Sequence, residues 1–238
     1  MQSDLSVLGA DWLAQEVDAM IDAIAECERV VKYIDIPLQH INDRVLRAMH
    51  RRVTRKQTEA LLDKIRQRIP GVTIRTTFIV GFPGETEAEF QELLDFARDF
   101  GFDAGGAFKF SFEPETPSAR MKGQIDDAVK QERYDRFMEV QQEVAFAAAR
   151  KRIGQTFEVV VDGPRESPSG DAGRSVLVAR HAGQAPEVDA VCLLQRRRIK
   201  PGRFLTVRCV DADGYDLAIQ PARGAQEKHR GVDCGALA

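Results

Sequence analysis

Apolar and polar positions alternate with two different periods along the chain, and the change of period divides it. Between residues 11 and 27, Leu13, Val17, Met20, Ile21 and Ile24 recur at helical spacing with Asp18, Asp22 and Glu26 between them, which predicts an amphipathic helix. Residues 30–36, VVKYIDI, then form a short β-branched run that predicts a strand. Pro37 is expected to close it, because proline has no N–H to give to a ladder. Thr54 followed by Gln57 makes a capping-box pattern ahead of Leu61, Leu62, Ile65 and Ile69, and Pro70-Gly71 supplies the stop. A second strand is predicted at 73–80, TIRTTFIV, running into a glycine turn at 81–84. Thr86 and Glu89 repeat the capping box before Phe90, Leu93, Leu94 and Ala97, and Gly101 ends that helix. A third strand is predicted at 107–112, AFKFSF, and a long connecting helix at 126–151. Strands alternating with helices in this way predict a parallel sheet with right-handed crossovers, an α/β fold.

After Gly154 the period becomes two. Short alternating runs at 157–161, 175–179, 190–194, 204–210 and 215–219 are separated by Gly, Pro and Asp turns, which predicts a small OB-like β-barrel. The expected division is therefore 1–152 for the α/β part with its connecting helix, 153–220 for the barrel and 221–238 for a disordered tail without periodicity. The 238 residues carry 34 Lys and Arg against 37 Asp and Glu, a net charge of −3, so bulk charge does not draw the whole chain to nucleic acid or membrane. Residues 150–208 differ, with twelve basic against six acidic side chains and a cluster at Arg196, Arg197, Arg198, Lys200 and Arg203. Such a face on a small barrel suits nucleic acid or a ribosomal surface, the alternative being a solvated turn. No basic leader with an apolar core and no membrane-length apolar run occurs, so a cytoplasmic location without membrane contact is expected.

Candidate chemistry gathers at strand ends. IVGFPGET follows a predicted parallel strand and opens a helix, the place where α/β folds bind ligands, although Gly81 and Gly84 could equally serve the tight turn alone. Gln39 and His40 follow the first strand in the same way, His40 being either a ligand contact or an internally satisfied ring. Arg75 interrupts an apolar strand and must meet a carboxylate, either from a ligand or from Asp35 or Glu85. Cys27, Cys192, Cys209 and Cys234 stand far apart, without a C-x-x-C pair, and are expected to be scattered reduced thiols.

Taken together, YIDIPLQHINDRVLRAMHRRVTR, IRTTFIVGFPGETEAEFQELLDF and VKQERYDRFMEVQQEVA resemble, in order and spacing, the second half of the radical-SAM methylthiotransferases. The segments FEVVVDG, GRS, APEVDA, KPGRFLTVR and DADGYDL resemble the TRAM barrel that closes those enzymes, so that the resemblance covers about residues 10 to 220. It implies the C-terminal part of a radical-SAM partial β/α barrel followed by the TRAM barrel. DIPLQH and KQERYDRFMEVQQ are similar to the branch that modifies an aspartate of the twelfth small-subunit ribosomal protein, the sister branch modifying a tRNA adenosine.

The resemblance further implies S-adenosylmethionine as cofactor, held by Gln39, His40, Arg75, Ile79, Gly81, Phe82, Pro83, Gly84 and Glu85. Within that set Arg75 and Gln39 would contact the methionine or ribose part, and Ile79 to Gly84 would wall the nucleoside. Full-length members carry two [4Fe–4S] clusters, one in a C-x-x-x-C-x-x-C loop that this chain lacks. Met1 is accordingly expected to be an internal start, a split product or a remnant, inactive alone and completed by a missing N-terminal half. An exposed parallel edge and uncovered apolar surface are expected with it. Gln184 stands where the family usually has an acidic residue before Ala-Pro-Glu. The ribosomal protein substrate and RNA are the partners implied for the barrel. A non-catalytic RNA- or ribosome-binding module is the reading from a different class.

Overall fold

A computed structural model of the chain describes residues 5–166, 175–194 and 199–224, with side chains described within 16–165, 176–194 and 199–224. Two units divide after residue 141, and each has its own buried apolar cluster. The first unit is α/β. Helix α1 (Leu5–Glu26) precedes strand β1 (Tyr33–Gln39), helices α2 (Asp43–Ala48) and α3 (Arg55–Arg68), strand β2 (Thr73–Val80), helix α4 (Glu87–Phe100) and strand β3 (Ala104–Lys109). A 3-10 turn at Pro117–Arg120 leads into the long helix α5 (Asp127–Lys151), within which the division between units falls. All three strands are parallel, in the order β1-β2-β3.

Both capping boxes form as the sequence predicts. Thr54 accepts from the Gln57 amide and Thr86 from the Glu89 amide, and each partner side chain reaches back to its cap. Gly101 ends α4 in the left-handed conformation at φ 67°, which glycine adopts without a Cβ penalty. One face of β2 carries Ile74, Thr76, Phe78 and Val80, all buried. Phe78 meets Phe96, Phe102 and Phe137 at ring separations of 6.4, 5.8 and 5.3 Å, so α4 and α5 are sealed onto this face by aromatic edges. Lys64 and Arg68 of α3 pair with Asp18 of α1, and Arg68 also with Asp22.

Two predicted strand limits shift. β1 continues through Pro37 to Gln39, because β1 is the outer strand and its ladder with β2 is interrupted between Ile36 and Gln39, where no proline N–H is required. β3 spans Ala104–Lys109 rather than 107–112, since its glycines are not a turn. A Cβ on Gly105 would lie 2.9 Å from the Gln141 side chain, so α5 packs on this strand at a distance only glycine permits.

The second unit is a closed barrel of five strands: β4 (Thr156–Glu166), β5 (Ser175–His181), β6 (Cys192–Leu194), β7 (Phe204–Asp213) and β8 (Asp216–Pro221), in the order β4-β5-β6-β8-β7. Alternate residues of these strands fill its interior, among them Val159, Val161, Leu177, Leu194, Leu205, Val207, Leu217 and Ile219. Gln184 turns inward: its Oε1 accepts from the His181 amide at 3.0 Å and lies 3.3 Å from the Cys192 thiol. Of the expected 221–238 tail, Pro221 ends β8, and residues 225–238 lie outside the described residues, as does the Arg196–Arg198 cluster.

Candidate functional site

The glycine turn after β2 is built by its own sequence. Glu85 N–H donates to Phe82 C=O at 2.9 Å, with Pro83 and Gly84 between them and Gly84 at φ 77°. Proline then positive-φ glycine at the two central positions is the requirement of a type II turn. Gly84 N–H in turn donates to Gly123 C=O at 2.8 Å, and Arg44 donates to Gly84 C=O at 2.7 Å. Gly81 precedes the turn at φ 74°, and a Cβ there would stand 2.5 Å from Lys130 Cγ.

Beneath this turn lies a buried charged group. Glu85 accepts from the amides of Gly81 and Phe82 through Oε2, at 3.0 and 3.3 Å, and from Arg133 Nη1 through Oε1 at 2.9 Å. His40 is fully buried; its Nδ1 accepts from the Asn42 amide at 2.9 Å, which leaves the ring proton on Nε2. That Nε2 points at Glu85 Oε2 from 3.8 Å and has no hydrogen-bond partner among the described residues. Burial pushes Glu85 up to about 7, opposed by Arg133 and the two amides, and pushes His40 down to about 4. The sequence reading missed Arg133. Its signal was phase: Arg133, Phe137, Val140 and Val144 fall at i, i+4, i+7 and i+11, which puts a guanidinium on the apolar stripe of α5.

These two groups give opposite pH dependences. The stability carried by Glu85, whose folded value is raised, is present below its ordinary 4.5 and lost as pH rises through about 7. That carried by His40, whose folded value is lowered, is present above its ordinary 6.5 and lost as pH falls through about 4. Across the shared window the slopes cancel. His40→Asn keeps an acceptor for the Asn42 amide and removes one slope. Its urea midpoint should fall as pH is raised through that window while the parent stays flat, as read by helical circular dichroism. A flat midpoint in both proteins would mean that Glu85 does not gain a proton on folding.

The predicted site residues thus separate into two sets. The side chains of His40, Phe82, Pro83 and Glu85 are buried with Gly81 behind the strand ends, while Gln39, Arg75, Ile79 and Gly84 are partly exposed. Arg75 and Ile79 lie on the face of β2 opposite Ile74 and Phe78, in register with Ala104 and Phe108 of β3, and Phe108 is 67% exposed. Arg75 meets Asp35, its register partner on β1, at 2.9 Å, so the carboxylate is the protein's own and is not Glu85.

Gln39 is the strained member. At φ 71° it is the centre of a turn in which His40 N–H donates to Leu38 C=O at 2.9 Å, a positive-φ γ-turn that costs a non-glycine residue about 1–2 kcal/mol. Backbone strain of this kind collects at functional positions. Gln39→Gly should therefore raise unfolding stability by about 1 kcal/mol in urea titration, and an unchanged or lower value would deny the strain.

Among the described residues no group of three or more His, Cys, Asp or Glu could hold a metal ion, Cys27 being exposed and Cys192 and Cys209 buried in the barrel. None of the described helices is long and apolar enough to cross a membrane.

Comparison with known proteins fits the two units. The Radical SAM superfamily matches residues 10–97 and the TRAM domain matches residues 153–220. The chain is 44% identical over 214 residues to the ribosomal protein uS12 methylthiotransferase RimO of Anaeromyxobacter sp. (strain K), covering 88% of this chain and 45% of that protein. The protein of the same name from Desulforamulus reducens is 45% identical over 201 residues, 84% of this chain and 44% of its own length. That of Protochlamydia amoebophila is 36% identical over 226 residues, 91% and 46% respectively. The chain spans somewhat less than half the length of these relatives. With a radical-SAM segment and a TRAM domain in this order, and 36–45% identity to these relatives over 84–91% of its length, the chain is a homologue of RimO-type radical-SAM methylthiotransferases that carries a TRAM domain.

Proposed function

We propose that the first unit forms part of an S-adenosylmethionine site in a methylthiotransferase that modifies the β-carbon of an aspartate in ribosomal protein uS12. The observation that carries this reading is the partly exposed face of β2, with Arg75 paired to Asp35 near the strand's start and Ile79 near its end, and strained Gln39 closing the neighbouring β1. That donor set suits the molecule. Arg75 matches a carboxylate in its fork, Asp35 can accept from an ammonium or hydroxyl, and Ile79 offers apolar contact to a base. Bound there, S-adenosylmethionine supplies the methyl group and the hydrogen-abstracting chemistry of the family. Glu85 acts from behind: itself held by Arg133, it accepts from the Gly81 and Phe82 amides and so fixes where β2 ends.

The scattered cysteines do not fit a [4Fe–4S] cluster, so no step is derived through one; we propose that cluster ligands come from the remaining length of such an enzyme and that the chain alone is inactive. The division 1–152, 153–220 and tail belongs to the same proposal, with the TRAM barrel presenting the ribosomal target or RNA, in the cytoplasm.

The test is to co-express this chain with the N-terminal half of the Anaeromyxobacter relative in a host lacking its own uS12 methylthiotransferase, and to weigh the uS12 aspartate peptide. A methylthio gain that disappears with Arg75→Ala is the expected result. Methylthioadenosine in tRNA would assign the sister branch instead. Neither product, with both halves folded, would leave a non-catalytic module.

A further inference from the structure

The loop between α2 and α3 has a build that the cofactor reading does not use. α2 ends in a Schellman motif: Arg51 N–H donates to Leu46 C=O at 2.8 Å and His50 N–H to Arg47 C=O at 3.0 Å. The residue that must take the left-handed conformation there is His50, at φ 58°, where glycine would be free of strain. A histidine ring is thus held outward on a strained turn. The loop is clamped at its far end as well, since Asp43 Oδ1 accepts from the Arg55 amide at 2.6 Å and Thr54 caps α3.

This rigid loop displays charge without compensation. Arg55 is neutralised by Glu59 and Glu92, at 2.7 and 2.8 Å. Arg47, Arg51, Arg52 and Lys56 are exposed and pair with no carboxylate among the described residues; Arg47 makes only a bond to the Asp43 carbonyl. The cluster is confined to the α2–α3 loop and the helix turns that flank it, in a chain whose net charge is −3. It follows β1 in the chain, at the edge of the sheet that also carries Gln39.

We propose that Arg47, His50, Arg51, Arg52 and Lys56 form a docking surface for the phosphate backbone of RNA, separate from the TRAM barrel. An acidic protein surface is the poorer match. Stable protein interfaces are centred on an apolar patch depleted of charge, and this loop offers only Val53 at the margin of exposure. A phosphate backbone needs cations at fixed spacing and nothing else, and arginine forks with an imidazole donor are the side chains that meet it.

The experiment measures binding of the whole chain to a labelled two-turn RNA duplex by fluorescence anisotropy across a salt series. Arg51→Ala with Arg52→Ala should weaken binding about tenfold at ~0.1 M salt, and should lower the slope of log affinity against log salt by about 1–2, near 0.9 per lost phosphate contact. The matched control is Arg29→Ala with Arg98→Ala, two exposed charges outside this loop, one before β1 and one in the last turn of α4, and it should leave both quantities unchanged. Competition by small ribosomal subunits or by unfractionated tRNA then distinguishes which RNA is preferred. Equal losses in both double variants, no loss in either, no RNA binding by the parent chain, or displacement by polyglutamate as readily as by RNA would each overturn the proposal.

Discussion

Glu85→Ala should destabilise the first unit by roughly 3–5 kcal/mol, the range for removing one partner of a buried ion pair. Arg133 is then left in the interior with only the Glu85 carbonyl at 3.1 Å and a distant Glu87 carboxylate at 3.6 Å, and the Gly81 and Phe82 amides lose their acceptor. Against the ~5–15 kcal/mol that holds a typical domain together, that loss is enough to leave the unit marginal. Urea unfolding followed by circular dichroism measures it. Combining Glu85→Ala with Arg133→Met removes both charges. The double variant should be less destabilised than the sum of the single effects by more than about 1 kcal/mol. Strict additivity would show that the two side chains do not work as a pair, and a single-variant loss below about 1 kcal/mol would show that the carboxylate is not the support of the turn.

Gly81→Ala comes next in size, about 2–5 kcal/mol, from two separable causes. A left-handed φ of 74° costs an alanine ~1–2 kcal/mol, and its methyl would stand 2.5 Å from Cγ of buried Lys130, an overpacking of ~1–3 kcal/mol. Lys130→Ala in the same chain should recover the packing part and leave the backbone part. Under the proposed function, the displaced turn should also weaken S-adenosylmethionine binding when the chain is co-expressed with the relative's N-terminal half. Complete recovery in the double variant would mean that φ at 81 is unstrained; none would mean that Lys130 moves aside freely.

Local signals were read where a few neighbouring residues determine the outcome. Thr54 with Gln57 and Thr86 with Glu89 each satisfy their own helix end, and Pro83-Gly84 suffices for the turn, because the atoms involved lie within four residues of one another. β3 was misplaced because Gly105 and Gly106 look like a break until Gln141, 36 residues on, is brought against them. The strand ends carry the candidate residues, but which of them are buried is not legible in the sequence. Whether a polar side chain at a strand end faces solvent or the core depends on what packs behind it. For His40 and Glu85 that is Arg133, from a helix that composition marks only as a connector.

The sequence by itself therefore determined the period of each element, the caps, the type II turn, the alternation that closes the barrel, and the family to which these motifs belong. Each follows from steric and hydrogen-bond preferences acting over one or two turns of chain. Only the tertiary structure decided that Arg75 faces Asp35, that Glu85 and His40 are sealed beneath the turn, and that Arg51 and Arg52 meet no carboxylate among the described residues while Arg55 is neutralised. Burial and charge pairing are properties of the packed whole, set by residues tens of positions apart, and so no window of sequence contains them.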